Sequence, residues 1–347
     1  MDRPTMLRLA QRLGVSRTTI SNAYSRPEKL SADLRERIFA TARELGYEGP
    51  SPLAASLRTG RTDTLGVLFT DDLGYAFTDP VSSQFLAGLA EHAQDAGYAI
   101  TVVSVPRGSD SNPMAKAMVD GLVIYSVDED SPGLSAARKR GIPAVLVDQE
   151  PQEGVPSVNI DDRAGAVAAI SHLAELGHQR IGAITVAAGP TECALVSPYA
   201  ESASYVVRER MAGWRAGAER AAIPMPTTIS CPANERVHAG QAVRLLLEAA
   251  PETTGIVCLT DELALGAIAA LEAQGRDVPR DLSVVGFDDS SAVAVSKPAL
   301  TTIRQPARAK GAHAATLLID QLRTGVTGPS RVLETELVVR DSTEEPR

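Results

Sequence analysis

TMLRLAQRLGVSRTTISNAYS, residues 5–25, decides how the amino-terminal end of this chain folds. Met6, Leu9, Ala10, Leu13, Val15 and Ile20 recur at helical spacing on both sides of Gly14, so the stretch predicts two short helices joined by a tight turn. Gly14 suits the turn because glycine tolerates the positive φ at which a first helix stops. Thr5 and Ser16 are placed to cap the two helices, each hydroxyl accepting from a first-turn N–H. Arg17, Thr18, Ser21 and Asn22 then face outward. Arg and Asn side chains can make paired hydrogen bonds to guanine and adenine edges in the major groove, which is the layout of a helix-turn-helix reader. An ordinary helical hairpin with a polar face is the plainer alternative.

Working outward, Ser31 opens a third helix with Leu34, Ile38, Ala42 and Leu45 on one face and Gly46 at its end. Three short helices can bury one small core. Pro50 and Pro52 break the chain, LAASLR is one or two helical turns, and TGRTD is a polar tether. So short a helix is marginal in isolation and needs a surface to dock against. Leu57 is its exposed apolar residue and Arg58 its cation; on composition alone, a linker with an incidental leucine fits as well. Residues 1–60 hold ten Lys or Arg against six Asp or Glu, a balance of +4, in a chain of net charge −9. A basic end on an acidic body concentrates phosphate attraction at one place and argues against a general nucleic-acid coat.

From Leu65 onward strand and helix patterns alternate. TLGVLF, AITVVSV, GLVIY, AVLVD, SVNI, RIGAIT, GIVCLT and LSVVGF are apolar strand runs separated by amphipathic helices. That pattern means parallel sheets covered on both faces, and so many units fit two doubly wound lobes. Ligands of such sheets bind beyond the carboxyl ends of strands. The rule selects Asp71 and Asp72, Asp148, Asp161, Thr260 and Asp261, and Asp288 and Asp289. Several carboxylates on one rim can accept hydroxyl hydrogens from a polyol. Each is equally placed to cap a helix, since these loops also open helices.

Other functions find little support. Apolar runs fall far short of a membrane span, and no amino-terminal apolar stretch suggests export, so a cytoplasmic location is expected. Cys193, Cys231 and Cys258 are odd in number and widely spaced, which predicts free thiols and no metal site. No nucleotide, hydrolase or metalloprotease motif is present, and no cofactor is expected. Asp161, His172 and His178 are the nearest approach to an acid–base set, but a histidine in a last helical turn also suits the helix dipole. No catalytic residue is assigned.

Residues 5–60, through LGVSRTTIS, SADLRERI…ELGY and PLAASLRTGRTDTLGVL, resemble the DNA-binding head and hinge of LacI/GalR repressors. The resemblance continues through nearly the whole chain. It implies a helix-turn-helix head (1–49), a hinge helix and linker (50–62), and a two-lobed core like periplasmic sugar-binding proteins (63–347). Crossovers are then expected near Asp161, Ser290 and Gly325, giving a first lobe of 63–160 and 291–323 and a second of 161–290 and 324–347. By the same resemblance Arg17, Thr18 and Asn22 read bases, while Ser16, Thr19 and Ser21 lie near phosphates. Leu57 wedges into the minor groove with Arg58 beside it. Arg8 departs from the acidic residue common early in that first helix. In the core, Arg210 of RERMAGW is implied as the cleft arginine with Trp214 one turn on, and Asp148 and Asp288, with Phe287 beside it, as effector contacts. Thr260 stands where the family's NDxxAxGA has Asn. Tyr75, Phe77 and Asp79 lie in a loop that contacts effector, and Asp161 and Asp261 complete the candidates. Two departures touch the pocket. The segment between Val105 and Val119 is short for a full helix, and residues 187–209 are long enough for a lid or a surface insertion. The resemblance implies a homodimer on palindromic operator DNA, with a sugar or nucleoside effector modulating affinity. A core retained only as a dimer scaffold, and a transport component, are the alternatives.

Overall fold

The computed structural model describes residues 5–49, 60–69, 73–105, 113–187 and 191–347, and the chain divides into two compact units, Met1–Thr62 and Asp63–Arg347. The expected hinge helix with Leu57 and Arg58, and the strand-end pair Asp71 and Asp72, lie outside the described residues.

The first unit holds helices α1 (Met6–Leu13), α2 (Arg17–Ser25) and α3 (Ala32–Leu45). Each begins on a hydroxyl cap: Thr5 accepts from Arg8 N, Ser16 from Thr19 N and Ser31 from Leu34 N. Gly14 and Gly46 close α1 and α3 at φ 66° and 64°, values at which a Cβ is strained. Leu9, Ala10, Ile20, Ala23, Ile38 and Ala42 are buried together, two from each helix.

The second unit holds two sheets. The first contains β1 (Thr64–Phe69), β2 (Ala99–Ser104), β3 (Gly121–Tyr125), β4 (Ala144–Val147), β5 (Ser157–Ile160) and β12 (Arg331–Leu333), all parallel, in the order β12-β5-β4-β3-β1-β2. The second contains β6 (Ile181–Val186), β7 (Ala194–Val196), β8 (Thr227–Cys231), β9 (Gly255–Cys258), β10 (Ser283–Asp288), β11 (Thr301–Arg304) and β13 (Glu336–Val338). Its order is β13-β11-β10-β9-β6-β8-β7, with antiparallel pairing only at the two edges. The continuous apolar runs follow from burial on both faces. Leu65, Val67 and Phe69 of β1 join one core cluster and Leu68 another, as do Val123 and Tyr125 against Leu122 and Ile124 in β3.

The chain crosses between the sheets after β5, between β11 and the helix Ala307–Thr324, and between β12 and β13. The second and third crossovers thus fall later than Ser290 and Gly325. TTIR and RVL are strands of four and three residues with too few apolar positions to read, yet TTIR pairs along β10 and RVL along β5. Residues 291–304 therefore belong with the second sheet. The helix Ala307–Thr324 packs on the helix Pro80–Asp95 of the first lobe, backbone to backbone. A Cβ at Gly88 would lie 1.9 Å from Arg308 O, and one at Gly311 2.0 Å from Phe85 O.

Both departures noted in the sequence have structural answers. In the short segment before β3, Met114 is buried in a 3-10 turn, Pro113–Ala115, and Arg140 donates to Met114 O and Ala117 O. Of the long segment, β7 adds an edge strand beside β8, and Arg215 donates to Pro198 O at 2.7 Å. Residues 191–204 line none of the cleft, whereas Val206, in the first turn of the helix Tyr205–Ala221, does.

Candidate functional site

On the first unit, α2 turns Ile20 and Ala23 inward and leaves Arg17 and Thr18 of its first turn exposed. Ser16 Oγ accepts from Thr19 N at 3.0 Å and lies 2.8 Å from Thr19 Oγ1, so both hydroxyls are held at the helix start. Ser21 and Asn22 are half-buried. The positive end of the helix dipole coincides with the Arg17 cation, an arrangement suited to an anionic backbone.

Within the core, a cleft of about 120 Å³ opens between the two sheets at the carboxyl ends of their strands. Tyr75, Asp79, Asp148, Arg210, Thr260 and Asp288 line it, together with Ser82, Ser126, Asn234 and Gln305. Several of these loops leave their strands in the left-handed region: Ser126 at φ 47°, Asp148 at 53° and, at the end of β10, Asp288 at 126° and Asp289 at 56°. Non-glycine residues at such angles store strain that recurs at functional sites.

A buried polar chain runs behind the cleft. Arg210, at the heart of the helix Tyr205–Ala221, donates from Nε to Asp162 Oδ1 at 2.8 Å and from Nη1 to Leu259 O. The same Nη1 lies 3.5 Å from Asp288 Oδ1, and the guanidinium stacks 3.5 Å above the Phe287 ring. Gln305 bridges the lobes, donating to Asp288 Oδ1 at 2.6 Å and accepting from Lys310 Nζ at 2.9 Å. Lys310, wholly buried, is ion-paired with Asp148 Oδ2. Burial pushes the Asp162 carboxyl up to about 6 against the opposing pull of Arg210, and raises Asp288 well above the usual carboxylate range for the same reason. Direct ties also cross the cleft: Asn234 Nδ2 donates to Tyr75 Oη at 2.8 Å, and Arg208 Nη2 to Glu150 Oε2 at 2.8 Å.

Five sequence candidates stand elsewhere. Phe77 is 60% exposed on a single helical turn, Tyr75–Thr78, and is not among the residues that line the cleft. Asp161 caps the helix Asp162–Glu175 through Ala164 N at 2.9 Å, the plainer alternative for a strand-end aspartate. Trp214 is buried in the second lobe's core and packs only. Asp261 accepts from Ser290 N and Thr302 Oγ1, bracing the loop after Asp288 from behind. Phe287 supports Arg210 from below and does not line the cleft. Thr260 does line it, but its hydroxyl accepts from Leu263 N and donates to Asn234 Oδ1. The amide missing at position 260 is thus presented by Asn234, which sequence reasoning overlooked, as it did Ser82, Ser126, Gln305 and Lys310. Asp79 also doubles as a cap, accepting from Ser82 N at 2.8 Å.

His172 and His178 do not approach Asp161 chemically. His172 contacts Thr343, and buried His178 contacts Thr254, Ser283 and Glu344 O, tying down the carboxyl-terminal segment. Desolvation lowers both imidazoles. Cys193 and Cys231, far apart in sequence, meet with sulfurs 3.3 Å apart as buried free thiols. Burial raises the Cys231 and Cys258 thiols, which disfavours the reactive thiolate. Among the described residues no group of three His, Cys, Asp or Glu is placed to hold a metal, and no helix is long and apolar enough to cross a membrane.

Comparison with known proteins covers both units. A family profile described as a periplasmic binding protein-like domain matches residues 170–343. The HTH-type transcriptional regulator IpsA of Corynebacterium glutamicum is 38% identical over 344 residues, 95% of each chain. Among solved structures, the lac repressor dimer bound to operator and the anti-inducer ONPF superposes with a TM-score of 0.78 at 26% identity, covering 99% of this chain and 100% of that one. The transcriptional regulator CelR in complex with cellobiose gives a TM-score of 0.72 at 28% identity, with 98% and 100% covered.

Proposed function

The chain belongs to the LacI family of helix-turn-helix transcriptional regulators, and from that premise we propose that it is a repressor whose grip on operator DNA is set by a small hydroxyl-rich molecule in the interlobe cleft. The observation that carries the reading is continuity: a single match of 38% identity to a transcriptional regulator spans 95% of the chain.

Two subunits pair through their cores and place two α2 helices on a palindromic operator, as the solved lac repressor dimer on its operator suggests. Arg17, Thr18 and Asn22 read base edges, and Ser16, Thr19 and Ser21 contact phosphates. Leu57 and Arg58 keep the minor-groove role that the resemblance gives them. In the core, Asp79, Asp148 and Asp288 accept from ligand hydroxyls, while Arg210 and Asn234 donate. Ligand seated between Asp148 on one lobe and Asp288 on the other favours one lobe arrangement. The effect on DNA can be no larger than the ligand's differential affinity for the two arrangements. The relatives are transcriptional regulators, which supports reading the cleft as a site that binds its ligand without transforming it. A regulator of this kind works in the cytoplasm, on DNA.

The test is selection of bound sequences from random duplexes, with and without neutral monosaccharides and nucleosides. A two-fold symmetric motif whose affinity changes with one of these is the expected result. No enrichment at any ionic strength would sink the reading.

A further inference from the structure

Among the described residues, the cleft and the layer immediately behind it hold four carboxylates, Asp79, Asp148, Asp162 and Asp288, and two cations, Arg210 and Lys310. Both cations are engaged by protein acids: Arg210 between Asp162 and Asp288, Lys310 by Asp148. Lys310 does not line the cleft. It sits beneath Asp148, its Nζ 5.6 Å from the centroid of the Tyr125 ring. Asp148 itself turns toward the cleft, and its Oδ1, though buried, has no hydrogen-bond partner among the described residues.

We infer that the Asp148–Lys310 pair fixes the charge class of the ligand: Asp148 masks a buried cation, so the cleft takes an uncharged or amine-bearing hydroxylated ring and rejects a phosphate or carboxylate. This rests on the reading of the cleft as a ligand site. The open acceptor on Asp148 suits a hydroxyl or ammonium hydrogen, whereas an incoming anion meets like charges in a partly desolvated wall. Were Asp148 absent, the Lys310 ammonium would become an anion site without any other change.

Two experiments test this. On the wild-type protein, matched probes are titrated by calorimetry: glucose with glucose 6-phosphate, glucuronate and glucosamine, and ribose with ribose 5-phosphate. Whichever ring binds, its phosphorylated or carboxylated form is expected to be weaker by about 100-fold. An anionic form that binds as tightly as its neutral parent overturns the proposal. If no probe binds at all, the ligand-site reading fails and takes this one with it.

The second test needs no ligand. Asp148→Gly accepts the positive φ of this position (53°) and leaves room for a small anion. Acetate should raise the thermal midpoint of that variant well beyond isosteric acetamide, while wild type and Asp148→Gly/Lys310→Met should respond equally to both. Equal response in Asp148→Gly, with the variant folded by circular dichroism, refutes the masking of Lys310. If Asp148→Gly does not fold, Asp148→Asn, which also tolerates this backbone conformation and removes the masking charge, is titrated with the same matched sugars as wild type. There, an anionic form that gains no affinity relative to its neutral parent gives the same refutation.

Discussion

Replacing Arg210 by Met removes the cation at the centre of the buried polar chain and leaves most of its volume. Arg210 meets Asp162 at 2.8 Å, stands 3.5 Å from Asp288 Oδ1, and is only 3% exposed. Methionine keeps a contact with Phe287 but leaves two buried carboxylates uncompensated. Breaking a buried ion pair from one side costs about 3–5 kcal/mol. The two acids can relieve part of this by taking up protons. In the wild type Arg210 holds Asp162 down to about 6, so its removal drives that carboxyl, and Asp288 with it, higher still. The native variant then binds protons that the unfolded chain, with ordinary carboxyls, does not. A folded pKa raised above the unfolded value adds stability as pH falls through it, here by about 1.4 kcal/mol per pH unit for each group concerned. Urea unfolding at pH 7.5 should therefore show the full loss relative to wild type, and unfolding at pH 5.5 a clearly smaller one. A loss under about 1 kcal/mol at pH 7.5 would refute the claim that Arg210 neutralises this layer. So would a loss that does not shrink at pH 5.5.

Three further outcomes follow from the geometry. Arg17→Ala should cost about 1–3 kcal/mol on the selected operator and relax preference at one base pair; equal weakening on random duplex would reassign Arg17 to phosphate alone. Gly311→Ala, whose Cβ meets Phe85 O at 2.0 Å, should lose about 1–3 kcal/mol or more in denaturant unfolding. Gly240→Ala, in the helix Arg236–Ala249 with only Ala270 Cβ at 3.8 Å, should gain about 0.4–1 kcal/mol. The contrast fails if the two behave alike. Asp261, pushed up to about 6 by desolvation, lends the native state stability that grows as pH falls from above 6 toward 4. Asp261→Asn should remove that increment from a pH series of thermal midpoints, and an unchanged series would contradict the assignment.

What the sequence displays depends on whether a residue's chemistry announces its environment. The head is legible because every helix carries its own signals: hydroxyl caps at Thr5, Ser16 and Ser31, glycines at 14 and 46, and one apolar stripe each. Long strands of the core are legible for the same reason. The edge strands β7, β12 and β13, and β8 and β11 with their threonines, are not, because their pairing is set by neighbours far along the chain. The cleft is legible by half. The strand-end rule finds the right loops yet cannot tell a cap from a ligand contact, since aspartate serves both. Backbone geometry separates them. Asp161, at φ −81°, turns its carboxylate back onto its own helix, whereas Asp148 and Asp288, at 53° and 126°, leave their strands in conformations from which no helix starts and turn to the cleft. Asp79 and Thr260 are intermediate: each caps a helix through one interaction and still reaches the cleft wall. Lys310 is hidden most completely, because a lysine in a helical first turn reads as solvated until distant parts of the chain, the end of β4 and the crossover after β11, supply Asp148 and Gln305. The strain of those left-handed aspartates persists only while the buried pairs hold them. The pair Asp148 with Lys310 on one lobe and the pair Asp288 with Arg210 on the other therefore shape the cleft, and Gln305 joins them across it through Asp288 Oδ1 and Lys310 Nζ, so a ligand that disturbs either pair must be felt on both lobes.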